Sequence, residues 1–428
     1  MTSDALPWLW VAAGGAAVAA LVLLVVANLA QAEKRIQKQV VRLYGSDDPA
    51  YTRVLSVLFG PTVLHGNRID TFVNGREIFP AMLDAIAAAR RSVTFETFIY
   101  WSGDVGDRFA RALAERARAG VPVHVLLDWV GSKPIDASLL AWLEDCGVRI
   151  VRYHPPRWPH LTRLNNRTHR KLLVVDGRVG FTGGVGIADA WDGDAAQPDH
   201  WRDTHYRLEG PVVAQLQAAF LDNWIKGRGE LLHGDRYFPA LEPAGTSAAQ
   251  VFVSSPSGGA ESMHLMINYA LVCATRSLRI ATAYFVPDAM TVDALLAAVR
   301  RGVSVTVLVP GRRTDSAIAR RASQYMWGRL LRGGVRIHAY EPCQFHWKVL
   351  IVDDWWVSVG STNFDNRSFR LNDESNLNVY DPSFAARQIG LFDTDLGRAR
   401  RVTFEAWRRR SRGQRLYEAA SHVIRSQL

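Results

Sequence analysis

The sequence predicts an α/β protein: two tandem copies of one unit with pseudo-twofold symmetry, mainly parallel or mixed sheets flanked by helices, behind one N-terminal transmembrane helix. Three observations carry this reading. Apolar strand-like segments alternate with helical ones, the pattern of helices packed on a buried sheet. Three sequence blocks recur in the same order in the second half of the chain. The N-terminus holds 23 residues, Ala5 to Ala27, without a charged or strongly polar side chain.

That run spans roughly 34 Å as a helix, enough for a hydrocarbon core of about 30 Å. Trp8 and Trp10 lie at its edge, and Lys34, Arg35, Lys38 and Arg42 follow it, against Asp4 before it. The positive-inside rule then leaves everything after residue 30 cytoplasmic, as a single-pass protein of the inner (cytoplasmic) membrane anchored through 5–30. A cleaved signal peptide is the alternative, with Ala30-Gln31-Ala32 as the cleavage site; the missing basic n-region and the long apolar run argue against it.

Residues 31–60 connect the anchor to the first unit, with Glu33 to Tyr44 as a basic amphipathic helix. The first unit, 61–236, starts with a small hairpin around Ile69–Val73, flanked by Gly66-Asn67 and Asn74-Gly75. A helix over Phe79–Arg90, a strand over Ser92–Tyr100, a helix over Arg108–Ala119 and a strand over Val121–Leu127 follow, which argues for a largely parallel, buried sheet. Residues 237–250, with Pro239, Pro243 and Gly245, read as a linker to the second unit, 251–428.

The composition of the 428 residues, 48% apolar and 21% charged, is globular. Three dispersed cysteines without a CxxC pair exclude a disulfide framework and a cysteine-built zinc site. The net charge of +10 is concentrated: nine Arg stand against two Glu from Arg398 to Leu428, so +7 lies in that tail. A tail of this kind suits an anionic membrane face, whereas nucleic acid would call for a basic groove spread over the domains.

Arg91-Ser92-Val93 returns as Arg276-Ser277-Leu278, Gly120-Val121 as Gly302-Val303, and His169-x-Lys171 as His346-x-Lys348, at offsets of 185, 182 and 177. The third block carries chemistry. It reads His169-Arg-Lys171-Leu-Leu-Val-Val-Asp176 in the first copy and His346-Trp-Lys348-Val-Leu-Ile-Val-Asp353 in the second. Residues two apart on a strand share a face, so each His and its Lys point the same way. Two such pairs meeting across the pseudo-twofold suit a phosphodiester. One neutral imidazole attacks phosphorus, the other donates a proton to the leaving oxygen, and the lysines offset charge on the equatorial oxygens. His169 is taken as nucleophile and His346 as general acid, then base, although the sequence does not break the symmetry.

Each imidazole needs an acceptor on its other nitrogen. Each copy offers one downstream: Asp203, 34 residues after His169, and Glu374, 28 residues after His346. Asp176 and Asp353 belong to the motif and are counted with the catalytic set, without a proton-transfer role; a structural place at the strand end is the alternative. Glu96 is either a buried pocket residue or the partner of a nearby Arg. His154 to Thr168 is either an apolar lip for acyl chains or a rigid loop. No metal or cofactor is expected, because HExxH, EF-hand and P-loop patterns are absent.

The doubled HxKx4D motif resembles that of the phospholipase D superfamily, and specifically its bacterial cardiolipin synthases. The resemblance covers nearly everything after about Ile69, including Phe95–Tyr100, Trp201–Gly210, Tyr284–Asp288 and Asn363–Ser368 leading to Asn372 and Glu374. It implies two phospholipase D-like domains and a covalent phosphatidyl-histidine intermediate. Phosphatidylglycerol would be both donor and acceptor, giving cardiolipin and glycerol, with phospholipid and membrane as partners and no nucleic acid. The family's Asn after the Gly-Gly or Gly-Ser step is present as Asn363, which with Ser361 is the candidate phosphate-binding pair; the first copy has Gly186 there. The competing readings are a phosphodiesterase that hydrolyses phospholipid, a nuclease, and a non-catalytic membrane scaffold.

Overall fold

The computed structural model describes residues 10, 13–21, 23, 40–42, 44–155, 166–256, 262–423 and 425. The anchor over 5–30, the helix expected over Glu33–Tyr44 and the lip expected over His154–Thr168 lie largely outside them. Among the described residues no helix is long and apolar enough to cross a membrane.

Strands β1 (Leu64–Val73), β2 (Val93–Thr97), β3 (Val123–Asp128), β4 (Arg149–Tyr153), β5 (Leu172–Val175), β6 (Val179–Gly183) and β7 (Thr204–Glu209) belong to the first half. Their counterparts are β8 (Ser247–Ser254), β9 (Ser277–Ala281), β10 (Ser304–Pro310), β11 (Arg336–Tyr340), β12 (Val349–Val352), β13 (Trp356–Gly360) and β14 (Asn372–Tyr380), with β15 (Ala399–Val402) added at one edge. All fifteen join one sheet in the order β15-β11-β10-β9-β12-β13-β14-β8-β1-β7-β6-β5-β2-β3-β4, and the two-residue strand Arg167–Thr168, paired with β14 off this path, makes it 16-stranded. From β11 to β4 the order is a palindrome, because each strand of one half faces its counterpart seven numbers on. The pseudo-twofold therefore passes between β1 and β8, which pair antiparallel.

The sheet is mixed rather than largely parallel. Along this order only β2-β3-β4 and β9-β10-β11 run parallel. The strand after each His-x-Lys turns back at once through two positive-φ residues, Asp176-Gly177 in one half and Asp353-Asp354 in the other. So short a connection can join only antiparallel strands.

The hairpin expected around Ile69–Val73 is also corrected. Gly66-Asn67 lies inside β1 at a shift in its register with β8, and Asn74-Gly75 opens a helix over Asn74–Ala87. Gly75 is needed there for close approach, since a Cβ would stand 2.0 Å from the Trp191 carbonyl oxygen. Of the segment expected as a linker, residues 247–250 belong to β8.

Helices Asn74–Ala87 and Asp104–Arg118 cover one face of the first half, and Ser262–Cys273, Ala289–Arg300 and Ala317–Arg332 the equivalent face of the second. The other face carries Val212–Arg228 and Pro382–Gly397. Beneath them a single apolar cluster runs from Leu172 and Trp224 in one half to Ile351 and Phe384 in the other. The halves share this core, which fixes the two His-x-Lys strands relative to each other.

Candidate active site

Each His-x-Lys motif is hung from the opposite half. Arg167-Thr168, just before His169, pairs with Asn372-Asp373 at the start of β14, and the His169 N–H donates to the Asp373 carbonyl at 2.8 Å. Gln344-Phe345, just before His346, pairs with Trp201-Arg202, and the His346 N–H donates to the Arg202 carbonyl at 2.8 Å.

This exchange decides which carboxylate meets which imidazole. His169 Nδ1 lies 3.0 Å from both oxygens of Glu374, and His346 Nδ1 lies 2.6 Å from Asp203 Oδ2. The sequence suggested pairing within each copy; the structure crosses the pairs. Sequence distance gave no hint of this, because the crossing comes from strand pairing between halves.

His169, Lys171 and His346 line one cavity of about 310 Å³. Lys171 Nζ donates to the His169 carbonyl at 2.8 Å, and Lys348 Nζ, behind the wall, to the His346 carbonyl at 2.6 Å. Burial pulls both imidazoles down to about 4. Burial, with the repulsion of Lys348, takes Lys171 down to about 7, and burial takes Lys348 to about 8. Glu374 is held at about 2 and Asp203 below its usual range, because their His and Lys neighbours outweigh the cost of burial. Neutral imidazoles facing ionised carboxylates donate from Nδ1, which leaves each Nε2 with its lone pair.

Other candidates take different places. Asp176 accepts the backbone N–H groups of Arg90, Arg91 and Ser92. Asp353 accepts those of Thr275, Arg276 and Ser277, and the hydroxyl of Ser46. Both sit beyond the far end of a four-residue strand from their His, so the motif's aspartates are corrected to turn-and-cap residues. Glu96 does not line the cavity; it accepts from Thr168 at 2.5 Å and Asn223 at 2.7 Å, and burial raises it to about 7 beside Arg170. Ser361 donates to Glu374 at 2.5 Å, so it buttresses that carboxylate and is corrected as a phosphate ligand. Asn363 does line the cavity, and its side-chain amide carries N–H donors.

Gly186 has a steric explanation. A Cβ there would lie 2.8 Å from Ile99 Cβ and 3.2 Å from the Trp191 ring. That indole also donates to Asp203 at 3.1 Å and, with Trp201, flanks His346 at ring distances of 5.4 and 5.0 Å. Sequence reasoning gave no role to Arg167, Arg367, Tyr284 and Asp315, all of which line the cavity. Arg367 and Tyr284 fall in blocks noted for their resemblance; Asp315 lies in a loop without any pattern to signal it.

The fold is shared with a solved phosphatidylserine synthase of Haemophilus influenzae Rd KW20, which superimposes with a TM-score of 0.69 over 88% of this chain and 100% of its own, at 12% identity. A family model described as cardiolipin synthase, PLD-like domain, matches residues 268–396. Cardiolipin synthase A of Pseudomonas fluorescens is 36% identical over 84% of this chain and 75% of its own. The major cardiolipin synthase ClsA of Bacillus subtilis is 33% identical over 84% and 75%. The chain belongs to the cardiolipin synthase family of phospholipase D-type phosphatidyltransferases.

Proposed function

We propose that the protein transfers a phosphatidyl group from one phosphatidylglycerol to a second, through a phosphohistidine intermediate, giving cardiolipin and glycerol. The observation that carries this is the pair of imidazoles on one cavity wall, each bonded through Nδ1 to a carboxylate from the other half. His169 Nε2 attacks phosphorus; His346 gives its proton to the glycerol oxygen that leaves, then takes one from the hydroxyl of the arriving lipid. Lys171 and the Asn363 amide, which line the cavity, offset charge on the phosphoryl oxygens, and Lys348 adds its positive charge from behind the wall.

Burial holds both imidazoles neutral, and a bound phosphodiester anion raises their proton affinity. Substrate binding thereby supplies the charged His346 that the leaving group needs.

The working unit is two tandem domains, the first over 61–236 and the second from β8 at Ser247 onward, joined through 237–246 and tethered by a single-pass anchor over 5–30 with the cavity on the cytoplasmic side. Exposed arginines of the tail, among them Arg401, Arg408 and Arg409, add attraction to anionic headgroups. Purified protein in phosphatidylglycerol vesicles is expected to release cardiolipin and glycerol in equal amounts. Phosphatidic acid as the sole product would make it a hydrolase and overturn the proposal.

A further inference from the structure

The cavity has two unlike lips. Thr97 and Thr282 donate to the carbonyls of Ile99 and Tyr284, at 3.0 and 2.9 Å, which marks those two residues as equivalents. On the first half the lip is therefore apolar, with Ile99 beside Phe98 and Val130. On the second half it is polar. The Tyr284 hydroxyl donates to the carboxylate of Asp315, whose other oxygen accepts from Gln344 Nε2 at 3.0 Å.

Asp315 is exposed at the rim, and among the described residues it makes no ion pair. Asp315 shares the cavity lining with Lys171 and Arg367, and its negative charge works against an anionic ligand at the point where it stands. What it does recognise is hydroxyl donors, for which its oxygens keep spare lone pairs after Tyr284 and Gln344 are served.

We infer that Asp315 and Tyr284 form the subsite for the hydroxyls of the glycerol headgroup, on the His346 side of the cavity. This rests on the transfer reaction proposed above. There the leaving group is glycerol and the acceptor is the glycerol of a second lipid, so one polyol subsite serves both steps. The apolar lip at Phe98 and Ile99 then takes the diacylglycerol end. The same carboxylate favours the protonated forms of His346 and Lys348, which places it where the leaving oxygen collects its proton.

The reaction run backwards isolates the subsite. In cardiolipin, one P–O bond breaks as a histidine–phosphorus bond forms, and phosphatidylglycerol leaves with a proton. Free alcohol then attacks phosphorus, loses its proton to the base and frees the histidine. The full-length protein in cardiolipin vesicles is given radiolabelled glycerol and 1-propanol together, and the ratio of labelled phosphatidylglycerol to phosphatidylpropanol is measured. Both products arise from the same intermediate, so the ratio reads acceptor recognition alone.

Asp315→Asn is expected to lower the ratio by about tenfold, the loss of a hydrogen bond to a charged group. Tyr284→Phe, which keeps the ring, is expected to lower it less. An unchanged ratio in Asp315→Asn, whatever happens to total turnover, would overturn the subsite. If the unaltered protein transfers to neither alcohol, the transfer reading fails and the subsite falls with it.

Discussion

The two halves present the same reacting groups in different surroundings. His169 stands against Phe98 at 5.3 Å between ring centroids, and its carboxylate, Glu374, is buttressed by Ser361. His346 is walled by Trp191 and Trp201, and its carboxylate, Asp203, by the Trp191 indole N–H and the Thr204 backbone N–H at 2.8 Å. The first half fills the place of a side chain at Gly186 with indole, where the second keeps Asn363. Duplication thus preserved the strand-borne chemistry, while the loops around it diverged. The difference teaches that the imidazoles are set by strand pairing and their division of labour by the loops.

Removing either imidazole tests the shared part and carries the largest effect. His169→Ala and His346→Ala are each expected to lower cardiolipin formation in vesicles by about 10⁴-fold or more, as removal of a nucleophile or acid does. A half-site that worked alone would leave one variant active. Glu374→Gln and Asp203→Asn come next, at about 10²-fold to 10⁴-fold in kcat, because the amide no longer fixes the imidazole tautomer.

The lysines sharpen the comparison through pH. With Lys171 at about 7 and Lys348 at about 8, each is charged below that value and neutral above it. The KM for phosphatidylglycerol is therefore expected to rise on going from pH 7 to 9. Stability moves the other way. Between the folded value of about 7 and the unfolded value near 10.4, the unfolded chain binds the extra proton, so Lys171 disfavours folding most at low pH. Lys171→Met is expected to be inactive yet more stable than the parent by about 1 kcal/mol at pH 6–7, with the gap closing toward pH 10 in thermal melts.

The smallest effect concerns Gly186. Gly186→Asn introduces the side chain that the second half keeps, but it meets Ile99 and Trp191. A stability loss of about 1–3 kcal/mol without any gain in turnover is expected; a gain in turnover would show that the indole leaves room for a phosphate donor.

Much of this was legible in the chain. Each His-x-Lys pair lies at the mouth of an LLVV or VLIV strand because period-two patterning and apolar runs are local signals. The doubled blocks announced two matching halves, but not that both halves share one sheet. The crossed carboxylates were not legible, since pairing of Arg167-Thr168 with Asn372-Asp373 is a contact some 205 residues long with no local signature. The motif counts Asp176 and Asp353 with the catalytic set, with a structural place at the strand end as the alternative, and their positive φ and backbone partners fit that alternative; spacing alone does not choose between the two. Ser361 was misjudged for a related reason: a hydroxyl next to Asn363 satisfies a carboxylate instead of a phosphate.

The crossed pairing is tested most directly by NMR of the protein labelled with ¹⁵N only at histidine, followed through the Nδ1–H signals. Glu374→Gln is expected to shift the His169 signal and leave that of His346 in place, and Asp203→Asn to do the reverse. If Glu374→Gln instead moves the His346 signal, each half holds its own histidine and the account of one site built by exchange is wrong.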